Sequence, residues 1–132
     1  MSFIITVYTN EGIVMASDSR STGSSVQRLP DGRTQTLLGT QITDTTYKTF
    51  KCNERIGLST CGDASINQIP IAGYIEKFIH EKVTAESTVE HIAADALSYF
   101  TALCPTLSTH FIIAGYNPGS SFPTVHHVRT EC

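Results

Sequence analysis

The hydrophobic pattern changes its period twice along the chain, and this change restricts the fold more than any other feature of the sequence. Short β-rich runs separated by turn residues occupy residues 3–61, apolar residues recur at helical spacing over residues 71–104, and β-rich runs return in residues 110–129. Two strand pairs, two consecutive helices and another strand pair are therefore predicted. This order is typical of an α+β fold in which helices cover one face of a largely antiparallel sheet.

The segment between the first two strand pairs is predicted to lie outside the core. Residues 21–46 are rich in Ser, Thr, Gly and Gln, and they contain the turn sequence Pro30-Asp31-Gly32. An extended hairpin and a mobile loop both fit this composition.

The helix boundaries are predicted from proline and capping signals. Pro70 is tolerable in the first turn of the first helix. Ser87 and Glu90 have the spacing of a capping box, which predicts the start of the second helix at Ser87, and Pro105 ends that helix.

Length and composition indicate one ordinary domain, 1–132, because 40% of the 132 residues are hydrophobic and 16% are charged. A formal net charge of −3 disfavours nucleic acid and anionic membranes as partners. The N-terminal residues do not resemble a secretion signal, and no apolar stretch is long enough to span a bilayer. Reduced thiols and a cytoplasmic location are expected, because CxxC and zinc-ligand spacings are absent among the cysteines Cys52, Cys61, Cys104 and Cys132.

Ser2 is the first candidate for chemistry. Once Met1 is removed, the hydroxyl and the new α-amine belong to one residue, and the amine can act as the base that a weak serine nucleophile needs. A small second residue favours the removal of Met1. Taken alone, Ser2 is better explained as a common second residue.

Asp18, Lys48 and Gly62 are three further candidates. Asp18 ends an apolar strand in the sequence Asp18-Ser19-Arg20, where it could hold an ammonium group in place. Lys48 begins a β-rich run, and its charge would favour an ionised hydroxyl and a neutral amine nearby. Gly62 lets a backbone N–H approach a substrate as an oxyanion donor. The simpler explanations are that Asp18 is a surface carboxylate, that Lys48 is a solvated lysine and that Gly62 belongs to a tight turn.

The segments that contain these residues resemble the proteasome β-subunit and its bacterial relatives, which are N-terminal-nucleophile hydrolases. The resemblance is carried by NEGIVMASDSR (10–20), TYK (46–48), GLSTCGDA (57–64) and IIAGY (112–116). It runs over nearly the whole chain and implies an αββα sandwich with antiparallel sheets. The family's chains continue through further strands and helices, so the C-terminal part of that fold is expected to be missing here.

Four catalytic positions follow from the resemblance. The family's N-terminal threonine falls on Ser2, its strand-end aspartate on Asp18, its lysine on Lys48 and its oxyanion glycine on Gly62. Serine in place of threonine keeps the hydroxyl but lacks the methyl group that helps to fix its rotamer.

The resemblance also implies where the substrate lies. Ser21 and Thr22 are expected to border the substrate strand. The primary specificity pocket is expected near Thr46, Phe50, Thr60 and Ala64. The register with the family breaks once, in residues 21–46, where a loop tolerates insertion.

The implied function is that of a threonine-peptidase-like hydrolase that cleaves peptides or unfolded proteins. Relatives form rings, sometimes with an ATP-driven unfoldase, so a homo-oligomeric ring is expected. No cofactor or metal is expected, because phosphate-loop motifs are absent and the adjacent strand residues His126 and His127 point to opposite faces. Two alternatives stay open: a non-catalytic scaffold or assembly subunit of the same fold, and an amidase acting on non-peptide amides.

Overall fold

The computed structural model describes residues 2–130, without the side chains of residues 23–27 and 36–43. Met1, whose removal the proposed chemistry needs, and Cys132, the last residue, lie outside the described residues. The described elements are β1 (Ile4–Thr9), β2 (Gly12–Ser17), β3 (Ser21–Arg28), β4 (Thr34–Thr43), β5 (Thr49–Lys51), β6 (Ile56–Gly62), β7 (Ser65–Ile66), β8 (Ile69–Pro70), α1 (Ile71–Lys82), α2 (Val89–Leu103), β9 (Thr109–Gly115) and β10 (Thr124–Thr130).

A four-stranded antiparallel sheet with the order β10-β9-β6-β5 forms the centre of the fold. Successive residues of a strand point to opposite faces, so the alternation in β6 separates two environments. Ile56 and Leu58 on one face are buried and belong to the main hydrophobic core. Gly57 and Ser59 point to the other face. The strand predicted over Tyr47–Cys52 is shorter in the structure, where only the three residues of β5 pair with β6.

Both helices pack on the face that carries Ile56 and Leu58. The apolar residues of α1 and α2 recur every three or four positions, which gives each helix one buried side. Phe78 of α1, Phe100 of α2 and Phe111 of β9 form a continuous aromatic row, with ring centroids 5.9 Å and 4.9 Å apart. These contacts join the two helices to the sheet.

None of the helices among residues 2–130 is long and apolar enough to cross a membrane.

The second helix begins one residue later than the sequence predicted. Thr88 is its N-cap, and the Thr88 hydroxyl accepts a hydrogen bond from the N–H of His91 at 3.1 Å. Ser87 is engaged with the preceding loop, and the carboxylate of Glu90 accepts from the side chain of Asn117 at 2.8 Å. The capping-box prediction was wrong, because both of its members bond elsewhere.

The β1–β2 hairpin packs on the sheet face opposite the helices. The Thr49 hydroxyl donates to the Ser17 hydroxyl at 2.9 Å and lies 3.0 Å from that of Ser59, so β2 is connected to β5 and β6. Met15 covers Gly57 so closely that a Cβ atom added to the glycine would lie 2.8 Å from the methionine sulfur. The outer side of this hairpin exposes the apolar side chains of Phe3, Ile5, Val7 and Val14.

The segment over residues 21–46 forms a hairpin, one of the two structures that its composition allowed. β3 and β4 pair with each other in a separate two-stranded sheet, with a register shift between Gly23 and Ser25. At its base, the guanidinium of Arg20 bonds to the carboxylate of Asp44 at 2.6 Å. The chain therefore leaves the centre of the fold after β2 and returns just before β5.

Candidate active site

Asp18 is fixed at the end of β2 by the backbone of Phe3. The N–H of Phe3 donates to Asp18 Oδ1 at 2.9 Å, and the N–H of Asp18 donates to the Phe3 carbonyl at 3.0 Å. These bonds extend the β1–β2 ladder beyond the pair Ile4–Ser17. The Asp18 carboxylate is thereby held beside Phe3, the residue that follows Ser2.

The ammonium group of Lys48 bonds to the same carboxylate oxygen. Lys48 Nζ lies 2.9 Å from Asp18 Oδ1 and also donates to the carbonyl of Arg20. The Lys48 side chain is only 6% exposed, against 33% for Asp18. Its backbone is anchored to β6, because the Lys48 carbonyl accepts from the N–H of Thr60 at 2.8 Å. The ammonium group and the backbone of Lys48 are thus both held in place by hydrogen bonds.

The carboxylate of Asp18 is stabilised in its ionised form. The hydrogen bond from the Phe3 N–H is the main reason that the pKa of Asp18 lies below its ordinary value, and the bond from the Lys48 ammonium lowers this pKa further. Asp18 is therefore a carboxylate at neutral pH. The buried positive charge of Lys48 has a counter-charge.

Gly62 ends β6 in a conformation that other residues rarely adopt. Its φ is +118°, and a Cβ atom here would lie 2.5 Å from the carbonyl oxygen of Ser108. Asp63 secures this turn, because its N–H donates to the Ser108 carbonyl at 2.9 Å and its carboxylate accepts from the Ser108 N–H at 2.8 Å. The glycine is required by this close approach, whatever its chemical role.

One pocket contains three of the four predicted catalytic residues. Ser2, Lys48 and Gly62 line it, and Asp18 lies behind Lys48. The other lining residues are Thr46, Tyr47, Thr60, Cys61, Asp63, Ala64, Pro70, Ile71 and Ala72. Three of the residues predicted to be near the specificity pocket, Thr46, Thr60 and Ala64, are therefore in the same pocket as Ser2.

Three of the predicted substrate-binding residues are not in this pocket. Phe50 lines a separate groove between β5 and α1, together with Ile79 and His80. Ser21 and Thr22 begin β3 directly after Arg20, whose carbonyl accepts from Lys48, so the chain connects them to the site without placing them in the pocket.

The start of α1 forms a wall of the pocket that the sequence analysis missed. Pro70, Ile71 and Ala72 reach it because β7 and β8 form a small hairpin with positive φ at Asn67 and Gln68. The N–H of Ile71 donates to the carbonyl of Ala64 at 2.9 Å, which holds the helix start against the end of β6. The closely spaced residues Asn67-Gln68 and Pro70 were the sequence signal for a turn before a helix.

Comparisons with known proteins identify no relative of this chain. A scan against protein-family models, a search of curated proteins and a search of solved structures find no significant match to this chain. The resemblance to the proteasome family stays a prediction.

Proposed function

We propose that this protein is an N-terminal-nucleophile hydrolase that cleaves peptide bonds, with Ser2 as the nucleophile after removal of Met1. One observation carries the proposal. A continuous set of contacts runs from the backbone of Phe3, through Asp18, to the buried ammonium of Lys48, and Ser2 and Lys48 line the same pocket. Burial of the Lys48 charge has a desolvation cost, which favours a functional reason for a lysine at this position.

The proposed reaction is acyl transfer in two steps. Ser2 Oγ attacks the substrate carbonyl carbon and gives its proton to the Ser2 α-amine, which passes that proton to the leaving amine as the C–N bond breaks. Water then attacks the resulting ester and gives a proton to the α-amine, which passes it to Ser2 Oγ as the acyl C–O bond breaks; the acid product leaves and the serine hydroxyl is restored. The substrate gains one water molecule, and no redox partner is needed.

Lys48 and Gly62 have supporting roles in this proposal. The positive charge of Lys48 favours the neutral amine and the ionised hydroxyl of Ser2 before attack, and Asp18 orients the lysine. The backbone N–H of Gly62 would donate to the oxyanion of the tetrahedral intermediate. The position of Gly62 on the wall of the Ser2 pocket supports this role.

The lining of the pocket favours a small substrate side chain. Four of the lining residues have short side chains: Thr46, Thr60, Ala64 and Ala72. We expect a residue such as alanine or valine beside the scissile bond to be accepted more readily than a bulky one.

The wider context of the proposal comes from the sequence resemblance. The helices on one face of the central sheet and the β1–β2 hairpin on the other are compatible with part of an αββα sandwich. A cytoplasmic location, a homo-oligomeric ring and an ATP-driven unfoldase as partner belong to the same proposal, as do peptides or unfolded proteins as substrates.

A scaffold or assembly subunit is the second candidate function, and the exposed outer side of the β1–β2 hairpin favours it. Phe3, Val7 and Val14 are 64%, 53% and 67% exposed. Apolar side chains grouped in this way are typical of protein–protein contacts. A subunit with this function would not need Ser2.

Hydrolysis of fluorogenic peptides with a small residue before the scissile bond tests the proposal. Ser2→Ala should abolish turnover while still allowing removal of Met1. Lys48→Met should lower kcat/KM by about 100-fold or more, since it removes the charge that assists proton transfer. Lys51→Met is the matched control, because Lys51 is exposed and pairs only with Glu54 in the described structure. Undiminished turnover in Ser2→Ala would exclude Ser2 as the nucleophile, and absence of turnover in the folded, processed wild-type protein would favour the scaffold.

A further inference from the structure

The ion pair of Asp18 and Lys48 joins two parts of the fold that no strand ladder connects. Asp18 follows β2 of the β1–β2 hairpin, and Lys48 precedes β5 of the central sheet. Among the described residues the hairpin and the central sheet are separate sheets, so strand pairing does not fix β2 relative to β5. The distance between the carboxylate and the ammonium group therefore depends on other contacts between the two sheets.

A chain of three hydroxyl groups crosses between the two sheets next to the ion pair. The Thr49 hydroxyl donates to the Ser17 hydroxyl at 2.9 Å and lies 3.0 Å from the Ser59 hydroxyl. A hydroxyl has one proton, so Thr49, which gives its proton to Ser17, accepts from Ser59. The chain therefore runs in one direction, from the fully buried Ser59 of β6 through β5 to β2.

The hydroxyl bond and the ion pair link the same two segments. Ser17 immediately precedes Asp18, and Thr49 immediately follows Lys48. The two links are therefore one residue apart, which is about 3.3 Å along a strand. A hydrogen bond weakens steeply when its distance or angle departs from the favoured range, so the Thr49–Ser17 bond resists movement of β2 along β5. The same movement would separate Asp18 from Lys48.

Other contacts between these segments are less suited to fixing their register. Met15 packs on Gly57, but an apolar contact made by a flexible methionine side chain is not directional. The N–H of Thr46 donates to the carbonyl of Ser19 at 3.0 Å, and both of these residues lie outside β2 and β5. Within β5, Thr49 therefore supplies the directional bond that holds β2.

We propose that Thr49 is a positioning residue, whose hydroxyl keeps Asp18 and Lys48 in contact by joining β2 to β5 and β6. The inference rests on the proposed function, because Thr49 acts on the nucleophile only through Lys48. Thr49 is not among the residues that line the Ser2 pocket, so its replacement leaves the walls of that pocket in place. The effect should therefore appear in kcat and not in KM.

Double-mutant cycles of Asp18→Asn and Lys48→Met, measured by urea denaturation at pH 7, test the positioning without any activity. The coupling free energy between Asp18 and Lys48 should be smaller in a Thr49→Val background than in the wild type. Ser17→Ala removes the acceptor of the same hydrogen bond and should also reduce the coupling. Thr49→Ser keeps the hydroxyl and should retain the wild-type coupling.

Thr130→Val is the matched control. It is the same substitution at a buried threonine whose hydroxyl also donates and accepts, and β10 lies at the opposite edge of the central sheet from β5. It should lower the free energy of unfolding without changing the coupling between Asp18 and Lys48. A general loss of stability would therefore be distinguished from a loss of positioning.

Peptide hydrolysis supplies the second readout. Thr49→Val should lower kcat by ~10-fold or more with little change in KM, because displacing a catalytic group by about 1 Å can cost roughly 100-fold. Thr49→Ser should restore kcat. The positioning role is overturned if Thr49→Val has the wild-type coupling or the wild-type kcat, or if Thr130→Val reduces the coupling as much. A wild-type protein that hydrolyses no peptide would refute the proposed function, and the coupling would still decide whether Thr49 positions the ion pair.

Discussion

Lys48 Nζ lies 2.9 Å from Asp18 Oδ1, although the two residues are 30 positions apart in the chain. The β3–β4 hairpin fills that interval, and its base is closed by the pair of Arg20 and Asp44. The excursion therefore starts and ends at the candidate site. The contact depends on how the residues on either side of the hairpin are held. Asp18 follows β2 and bonds to the backbone of Phe3, and the Lys48 carbonyl accepts from the N–H of Thr60 in β6.

Acid should weaken the fold through Asp18. Because the Phe3 N–H and Lys48 hold the pKa of Asp18 below its ordinary value of 3.8, its ionisation stabilises the folded state above that value. This stabilisation is lost as the pH falls through the lower pKa of the folded state. Asp18→Asn should have a lower urea midpoint than the wild type at pH 7, and this difference should shrink as the pH falls from 5 towards 2. A difference that is the same at every pH would contradict the account.

Two buried threonines should respond oppositely to replacement by valine. Thr60 is 3% exposed, and its hydroxyl has no hydrogen-bond partner among the described residues. The Thr130 hydroxyl, equally buried, donates to the Leu107 carbonyl at 2.9 Å and accepts from the Thr109 N–H at 3.1 Å. Thr60→Val should leave the free energy of unfolding unchanged or raise it by up to about 1 kcal/mol, and Thr130→Val should lower it by about 1–3 kcal/mol.

Urea denaturation of both variants checks this pair. Equal destabilisation by the two substitutions would mean that the Thr60 hydroxyl has a partner, such as a bound water molecule. It would then not be an unsatisfied polar group in the wall of the pocket.

Two glycines should respond oppositely to replacement by alanine. Gly62→Ala should destabilise the protein by about 2 kcal/mol or more, because the new Cβ would meet the carbonyl of Ser108 and a φ of +118° is strained for alanine. Gly73 lies in α1 with no atom near its added Cβ, so Gly73→Ala should stabilise by about 0.5–1 kcal/mol. Thermal or urea unfolding measures both. A neutral Gly62→Ala would show that β6 and β9 do not approach each other as described.

Cys52 should resist alkylation in the folded protein. Burial raises the pKa of its thiol to about 12, so almost none is thiolate at pH 8. Iodoacetamide followed by peptide mapping should leave Cys52 unmodified in buffer and modify it fully in urea. Rapid labelling of Cys52 in buffer, at the rate seen in urea, would show that this side of the core opens readily.

The periodicity of the sequence was sufficient to predict the main elements. The helical spacing of Ile71, Ile75 and Phe78 specifies one buried side of α1, which the core requires. In β6 both faces are buried, since Leu58 and Ser59 are each 0% exposed.

The capping prediction failed because Ser87 and Thr88 are both good caps. Long-range and loop contacts distinguish them: Ser87 accepts from the N–H of Thr84, and the Asn117 side chain bonds to Glu90 and to the N–H of Val89.

The site was only partly predictable. The motif positions of Ser2, Lys48 and Gly62 converge on one pocket, but the contribution of Ile71 depends on the β7–β8 turn and on its bond to Ala64. A local pattern does not show which long-range surfaces meet.

Intact mass before and after treatment with an electrophile that traps N-terminal hydroxyl nucleophiles tests the central claim most directly. The account predicts loss of Met1 and a single adduct on Ser2, which should be absent in Ser2→Ala and strongly reduced in Lys48→Met but not in Lys51→Met. Retention of Met1, or a processed and folded protein whose Ser2 never reacts, would contradict the claim that Lys48 and Asp18 serve an N-terminal nucleophile.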